Sequence, residues 1–308
     1  QRQMCIRDRA WGVNDNYVSE EVGMQPIDVD KQYHFFNPRA GVSYTLAERN
    51  NFYLSFAVAQ KEPTRSDFTD RYKFAADDTY PSSEKLYDWE LGYQYTAPRL
   101  SLGVNLYYMK YKDQLVPTGM VNDDSNALNT NVPDSYRRGV ELSASWRATG
   151  WFTVGANATF SQNRIENYVD ALKDSPTYGK ELGDMTIAYS PDVIANAFLN
   201  FHHRGFEAVF HTQHVGKQYF TNNENDALSL DAYCVTNLNL AYTFRTRSAR
   251  SVRLGLLINN LFNAEYESNG YGYSYMDTWS GPAPVRIDEA YYFPQAPLNV
   301  LANVTVKF

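Results

Sequence analysis

Apolar and polar residues alternate along most of this chain, and the alternation recurs about eleven times. One segment shows it fully, with an apolar set of Leu100, Leu102, Val104, Leu106 and Tyr108. The same period of two returns in residues 140–146, 152–161, 237–244 and 298–308. Because successive side chains of a β-strand point to opposite faces of a sheet, the pattern predicts an all-β chain with one apolar and one polar face.

The connections between these predicted strands alternate between short and long. The short connections are residues 47–51, 97–99, 148–150, 204–205 and 246–251. The long connections are residues 61–83, 113–134, 166–191, 220–230 and 263–290. Tight turns at one end and long loops at the other are typical of a transmembrane antiparallel up-and-down β-barrel, with short periplasmic turns and long extracellular loops. A soluble barrel or sandwich has no physical reason to segregate its connections in this way.

The polar faces of the predicted strands carry mainly Asn, Ser, Gly and Thr, with few charges. The apolar faces end in aromatic residues, as interfacial girdles require, so we expect the apolar face to meet lipid and the polar face to line a wet lumen. Mean hydropathy is −0.51, and no run approaches the roughly 18 apolar residues that a transmembrane helix needs. The aromatic content of 15% also fits a soluble all-β protein, and the connections favour the membrane barrel.

The C-terminal segment continues the alternation to the last residue. Its apolar set is Leu298, Val300, Ala302, Val304, Val306 and Phe308. A terminal aromatic residue after alternating hydrophobic residues resembles the signal by which the barrel-assembly machinery recognises its substrates, which makes Val304, Val306 and Phe308 candidates for that signal. The alternative is a last strand that ends in Phe without such a role.

Several segments resemble those of TonB-dependent receptors, particularly the Bacteroidetes type. The most specific is Asn-Leu-Phe-Asn-Ala-Glu-Tyr at residues 260–266, which is similar to the family's Asn-Leu-Phe-Asp/Asn-x-x-Tyr signature. Residues 37–41, 61–67, 138–142, 215–219 and 293–297 also match in order. Leu298 stands where the family usually has Arg, which weakens that one local match.

The resemblance implies a barrel of about 22 strands with an N-terminal plug inside it and a TonB-contacting segment before the plug. Residues 10–308 are then expected to form the C-terminal part of the barrel, with the plug and the TonB-contacting segment outside this sequence. Residues 1–9 share no pattern with the rest, and we expect them to be a non-native end. A half-barrel has two open sheet edges, so we expect that the 308-residue chain does not insert as a stable monomer.

Charge and candidate chemistry exclude several other classes. The net charge of −7 and the lack of a Lys/Arg cluster argue against a nucleic-acid partner. With two cysteines, the chain offers no disulfide framework and no Cys-based metal site. His211 and His214 are three apart on a predicted strand, so they point to opposite faces and cannot share a metal. No nucleophile or phosphate-loop motif appears, so an outer-membrane enzyme is disfavoured and no cofactor is expected.

Candidate ligand contacts come from the predicted extracellular loops. In residues 263–290, Tyr271, Tyr273, Tyr275 and Trp279 alternate with glycines and a serine, which predicts stacking faces on a flexible backbone, suited to siderophores or sugars. The alternative is an aromatic girdle that extends above the outer leaflet. Arg65 and Arg71 are candidates for an anionic iron chelate, and pairing with Asp67 and Asp70 is their structural alternative.

These patterns predict an outer-membrane receptor of a Gram-negative bacterium that imports a scarce nutrient, expected to be an iron siderophore or a similar small molecule. The resemblance implies the TonB complex as the energy source. Outer-membrane lipid and the barrel-assembly machinery are the other expected partners. A passive porin and a glycan-importing receptor remain the alternatives, with an outer-membrane enzyme behind them.

Overall fold

The computed structural model describes residues 2–9, 28–69, 81–121, 127–172 and 174–308. A short helix, α1, covers Arg65–Thr69, and a 3-10 turn covers Asp226–Leu228. In chain order the strands are β1 (Arg2–Arg9), β2 (Asp28–Phe35), β3 (Arg39–Leu46), β4 (Asn50–Lys61), β5 (Glu84–Thr96), β6 (Leu100–Val121), β7 (Ala127–Arg147), β8 (Phe152–Ile165), β9 (Met185–Thr186), β10 (Val193–His203), β11 (Phe206–Val215), β12 (Gln218–Tyr219), β13 (Ser229–Leu230), β14 (Tyr233–Phe244), β15 (Ser251–Asn259), β16 (Glu267–Asp277), β17 (Val285–Pro294) and β18 (Asn299–Lys307).

The main structure is a 12-stranded antiparallel sheet. Its strands follow in the order β3, β4, β5, β6, β7, β8, β10, β11, β14, β15 and β18, with β9 paired to β8. Each of the five predicted short connections joins two antiparallel neighbours in this sheet. The predicted fold class, an antiparallel up-and-down all-β wall of about eleven consecutive strands, is therefore confirmed. Three separate two-stranded sheets pair β1 with β2, β12 with β13, and β16 with β17.

The strand register places the apolar positions of neighbouring strands opposite one another across the whole wall. Leu91 pairs with Leu106, and Leu106 pairs with Val140. At the far end of the sheet Leu254 pairs with Val304. These side chains stay exposed, with Leu91 at 51% and Val304 at 65%. A continuous exposed apolar sheet face is what a strand wall presents to lipid.

Short polar contacts cover the opposite face of the wall. Asn105 Nδ2 donates to Glu141 Oε2 at 3.1 Å, and Asn196 Nδ2 donates to Asn157 Oδ1 at 3.2 Å. Arg253 pairs with Glu207 at 2.6 Å. This face therefore carries hydrogen-bonded polar side chains in place of a hydrophobic core, as a wet lumen requires.

The buried apolar residues gather beside the long connections. One cluster consists of Val116, Val132, Ile165, Tyr168 and Ile187. A second consists of Phe220, Leu228 and Leu230, with Ala290 packed against it. Packing of this kind holds the connections in defined positions above the wall.

The long connections carry more regular structure than their sequence predicts. Strands β6 and β7 continue into residues 113–134 as far as Val121 and from Ala127 onward. The expectation of a flexible loop over residues 263–290 is wrong, because most of that segment is the β16–β17 hairpin. The expectation that residues 1–9 are non-native remains a prediction, and the structure pairs β1 with β2 there.

Candidate functional site

The Asn-Leu-Phe-Asn segment forms the turn from which the β16–β17 hairpin rises. Asn260 is 3% exposed and has a positive φ of 51°. Its side chain accepts from the Ala264 amide at 2.8 Å and donates to the carbonyl oxygens of Ala264 and Ala296 at 2.8 and 3.3 Å. Asn tolerates the left-handed backbone region and bonds to nearby backbone, so it suits this turn. Asn260 thereby joins both ends of the hairpin.

One face of the hairpin packs on the second buried cluster. Its small residues Gly270 and Gly272 meet the Phe220 ring, and a Cβ added to Gly272 would lie 2.9 Å from Phe220 Cδ2. The same added atom would lie 2.9 Å from Leu228 Cδ2. The glycines therefore allow the strand backbone to approach the cluster closely. The alternating glycines serve packing, and the flexibility expected of them is not what the structure shows.

The opposite face of the hairpin carries an aromatic ladder, defined as Phe293, Tyr271, Tyr291, Tyr273 and Tyr275. The rings of Tyr271 and Tyr291 stack with centroids 4.9 Å apart at an interplanar angle of 14°. Tyr273 lies 6.4 Å from both Tyr291 and Tyr275, and Tyr271 lies 6.1 Å from Phe293. Three of the predicted contact residues, Tyr271, Tyr273 and Tyr275, are therefore brought together on one face, because alternate residues of a strand share a face.

Glu289 lies among the hydroxyls of this ladder. Its Oε2 accepts from Tyr273 Oη at 2.6 Å and from Tyr291 Oη at 2.9 Å, and its Oε1 accepts from Tyr275 Oη at 3.1 Å. These donors, Tyr273 first, hold the pKa of the Glu289 carboxyl below its usual value. The same bond raises the pKa of Tyr273 well above its ordinary value. At neutral pH the cluster is therefore an ionised carboxylate surrounded by neutral phenols.

Trp279 lies at the tip of the hairpin, away from the ladder's hydrogen bonds. Its side chain is 86% exposed. The Asp277 carboxylate accepts from the backbone amides of Trp279 and Ser280 at 2.9 and 3.1 Å, which fixes the turn. The fourth predicted aromatic contact therefore stands on an ordered turn, where its ring is open to solvent.

Neighbouring connections fix the segment on which the hairpin packs. Asn222 is fully buried, accepts from the Ala188 amide at 2.7 Å and donates to the Pro117 carbonyl at 2.6 Å. Glu224 pairs with Arg164 at 2.8 Å and accepts from the Thr186 amide at 3.0 Å. Residues 218–230, which carry Phe220 and Leu228, are thereby attached to β6, β8 and the segment after β9.

A separate cleft of about 380 Å³ lies between the upper β6–β7 hairpin and residues 165–179. Its lining is largely apolar and amide in character and includes Met120, Leu128, Asn131 and Tyr168. Burial, with Asp170 as the second cause, raises the pKa of the Tyr168 phenol to about 12. No predicted site residue lines this cleft, and the aromatic ladder lies outside it.

The remaining predicted residues are spread over the molecule. Arg65 begins helix α1, and Arg71 lies outside the described residues. Asp67, suggested as the partner of Arg65, is buried and accepts from Thr64 and Asn129. Helix α1, which begins with Arg65, packs beside β7.

Glu289, Tyr291 and Phe293 were missed by sequence reasoning. Their signal is the alternation Ile287, Glu289, Tyr291 and Phe293, which places all four on one strand face. The predicted long connection ends at Ala290, in the middle of this strand, so the alternation is divided between a loop and a strand.

The predicted barrel-assembly residues all lie at the end of the wall. Val304 and Val306 belong to β18 and pair with Leu254 and Val252. Phe308 follows β18 and is 93% exposed. The three side chains share the exposed apolar face, and their part in assembly remains a prediction.

Two absences apply to the ranges that the structure describes. In those ranges, no group of three or more His, Cys, Asp and Glu side chains is placed to hold a metal ion. Across the same residues, no helix has the length and apolar character needed to cross a bilayer.

The antiparallel wall has one exposed apolar face and one polar face, and its long connections carry strands of their own. These features define a segment of a membrane-type β-barrel. Residues 11–261 match the family model described as TonB dependent receptor-like, beta-barrel. The chain therefore belongs to the TonB-dependent receptor β-barrel family, whose barrels are outer-membrane proteins of Gram-negative bacteria.

Solved structures agree with this fold. The chain is similar to the ferric yersiniabactin uptake receptor FyuA from Yersinia pestis, with 18% identity and a TM-score of 0.61 over 92% of this chain and 38% of that one. It is also similar to the ferric-catecholate import receptor Fiu from E. coli K12, with 19% identity and a TM-score of 0.63 over 98% of this chain and 40% of that one. The siderophore receptor PiuA from Acinetobacter baumannii is similar at 14% identity, with a TM-score of 0.65 over 92% of this chain and 37% of that one. The chain thus spans about two fifths of the length of these receptors.

Proposed function

We propose that this chain is the barrel part of a receptor that imports a scarce small molecule, such as an iron siderophore, across the outer membrane with energy from the TonB complex. Membership of the TonB-dependent receptor family carries the proposal. The similar structures are named as uptake, import and siderophore receptors, which supports an iron siderophore as the substrate class. In this proposal the wall meets lipid through its apolar face, and the barrel-assembly machinery reads Val304, Val306 and Phe308.

Ligand capture is assigned to the aromatic ladder and to Trp279. The ring faces offer stacking surfaces to an aromatic chelator or a sugar. The packing of Gly270 and Gly272 on Phe220 already holds the hairpin in place, so binding loses little conformational entropy. Arg65 and Arg71 are proposed as secondary contacts for an anionic ligand. No covalent step is assigned to any residue, so the proposal is transport and not catalysis.

The test is uptake by the complete reading frame that encodes this chain, in a Gram-negative host that lacks its own iron receptors. Growth on ferric siderophores in iron-poor medium is expected in a TonB-positive host and is expected to be lost when TonB is deleted. Growth that persists without TonB would identify a passive porin. TonB-dependent uptake of an oligosaccharide, with no response to iron chelates, would identify a glycan importer.

A further inference from the structure

Arginine lies in or directly beside every short connection of the wall. The residues include Arg49, Arg99, Arg147, Arg204, Arg245 and Arg250. All of these are exposed, and Glu48 is the one acidic residue in the same connections. The whole chain carries a net charge of −7, so the end of the wall with the short connections has a local charge opposite to that of the molecule.

The side chains of these arginines are available to an external anion. Among the described residues, none of them takes part in an ion pair or a side-chain hydrogen bond. Arginines elsewhere in the sheet are paired, as Arg253 is with Glu207 and Arg164 is with Glu224. A guanidinium group presents its N–H donors in a planar fork that matches the oxygens of a phosphate. The short connections therefore offer a row of unpaired phosphate-binding groups.

Three of the arginines meet at an open cavity of about 640 Å³, here named the rim cavity. Arg204 belongs to the turn between β10 and β11, whereas Arg245 and Arg250 stand at the two ends of the turn between β14 and β15. The side chain of Phe244 also lines the rim cavity, and among its described lining residues none is Asp or Glu. The rim cavity therefore combines positive charge with an aromatic surface.

Aromatic side chains indicate the depth of this end of the wall in the membrane. Trp151, Phe152 and Phe201 pack together beside two of the short turns, with the ring centroids of Phe152 and Phe201 4.5 Å apart. Tyr242 and Phe244 lie 5.9 Å apart beside the turn that follows β14. Aromatic girdles of barrels lie at the level of the lipid headgroups. The arginines of the adjoining turns are therefore at the level of the lipid phosphates.

We propose that the rim cavity binds the phosphate of an anionic phospholipid in the inner leaflet of the outer membrane, through Arg204, Arg245 and Arg250. The acyl chains of this lipid lie along the exposed apolar face, which begins at Phe244 and continues over β15 and β18. A free phosphate would contact the arginines alone, whereas a lipid also covers the apolar face. The proposal rests on the periplasmic position of the short connections and is independent of uptake.

The experiment titrates the complete receptor, purified in a neutral detergent, with dioleoyl phosphatidylglycerol and measures the retained lipid by native mass spectrometry. Phosphatidylglycerol should bind more tightly than zwitterionic phosphatidylcholine with the same acyl chains. Arg204→Gln should weaken its binding about fivefold, and the double variant Arg245→Gln/Arg250→Gln should weaken it further. Lys180→Gln is the matched control, because it removes an exposed positive charge from a long connection at the other end of the wall; it should bind as the wild type does.

Equal retention of the two lipids by the wild type would overturn the site, as would wild-type affinity in the arginine variants. Displacement of the lipid by millimolar inorganic phosphate would overturn the choice of a lipid over a free anion. Tighter retention of lipopolysaccharide, lost in the same variants, would overturn the choice of leaflet. The heat shift of every variant on an unheated gel separates a lost contact from a lost fold, and the comparison of lipids on the wild type needs no substitution. Because the titration uses neither TonB nor a transported ligand, its failure is separate from a failure of uptake.

Discussion

The α-carbon of Gly272 lies so close to the Phe220 ring that an added Cβ would come within 2.9 Å of Cδ2. This contact joins the aromatic hairpin to the cluster formed by residues 218–230. Gly272→Val should therefore displace the hairpin or the ring, at a cost of about 1–3 kcal/mol. The expected result is faster limited proteolysis between β16 and β17 in the complete receptor.

Gly281 supplies the control for that experiment. It lies at the hairpin tip with open space around its Cβ position. Gly281→Val should leave the rate of proteolysis close to that of the wild type. Equal rates for the two variants would show that the hairpin does not depend on its contact with Phe220.

Asn222→Ala should loosen the junction between the long connections. The buried side chain serves the Ala188 amide and the Pro117 carbonyl, and its removal leaves the amide without its acceptor. A loss of about 1–3 kcal/mol is expected, with faster hydrogen exchange at residues 186–190. Asn223→Ala, whose side chain accepts from Thr221 within the same segment, is the comparison; similar exchange in both variants would contradict the bridging role.

Asn260→Ala should weaken the turn at the base of the hairpin by about 2 kcal/mol, because it removes three side-chain bonds at a residue with positive φ. Asn260→Gly loses the same three bonds but tolerates the positive φ, and should lose less. Thermal unfolding followed on a heat-modifiability gel measures the order of the two variants. A larger loss in the Gly variant would contradict this account.

Acid should release the hydroxyl cluster around Glu289. The folded-state pKa of Glu289 lies below its ordinary 4.5, so its contribution is complete above pH 4.5 and declines as pH falls through the lowered value. Hydrogen exchange in β16 and β17, corrected for intrinsic rates, should be constant from neutral pH to about 5 and should rise at lower pH. Glu289→Gln should lack this acid step; an unchanged step in that variant would assign it to another group.

Removal of Phe308 should lower the amount of receptor assembled in the outer membrane without a change in its synthesis. The residue is exposed at the end of the apolar face, where it is free to be recognised. Lys307→Ala, on the opposite face of β18, is the control and should assemble normally. Equal assembly of both variants would remove Phe308 from the proposed signal. The measurement is the fraction that shifts on an unheated gel.

Local alternation was sufficient to predict the wall. The apolar set from Leu100 to Tyr108 predicts β6, and the set ending in Val306 predicts β18. One face of a membrane wall meets lipid and the other meets water, so apolar and polar residues alternate even where no protein core covers the sheet. The sequence predicts a long connection over residues 113–134, although the structure extends β6 to Val121. This part contains Pro117 and Gly119, which are unfavourable in strand interiors. Pairing with β7 carries the strand past them.

The hairpin could be predicted only in part, since neither of its faces reads as an apolar strand face. The face with Gly270 and Gly272 is explained only by Phe220 and Leu228, about fifty residues earlier in the sequence. No local pattern marks Glu289 as part of a cluster, because the tyrosines that bond to it lie mostly on the other strand. Such cross-strand relationships depend on register, which short-range pattern does not contain.

The hairpin leaves the wall after Asn259 and returns at Asn299, and these two residues are paired neighbours whose side chains bond at 2.9 Å. The pairing of β15 with β18 therefore runs directly across the base of the insert formed by residues 260–298. Evolution can lengthen, shorten or exchange this insert while the strands on either side keep their register. The part of the chain that carries the aromatic ladder is therefore separable, in its length, from the part that forms the wall.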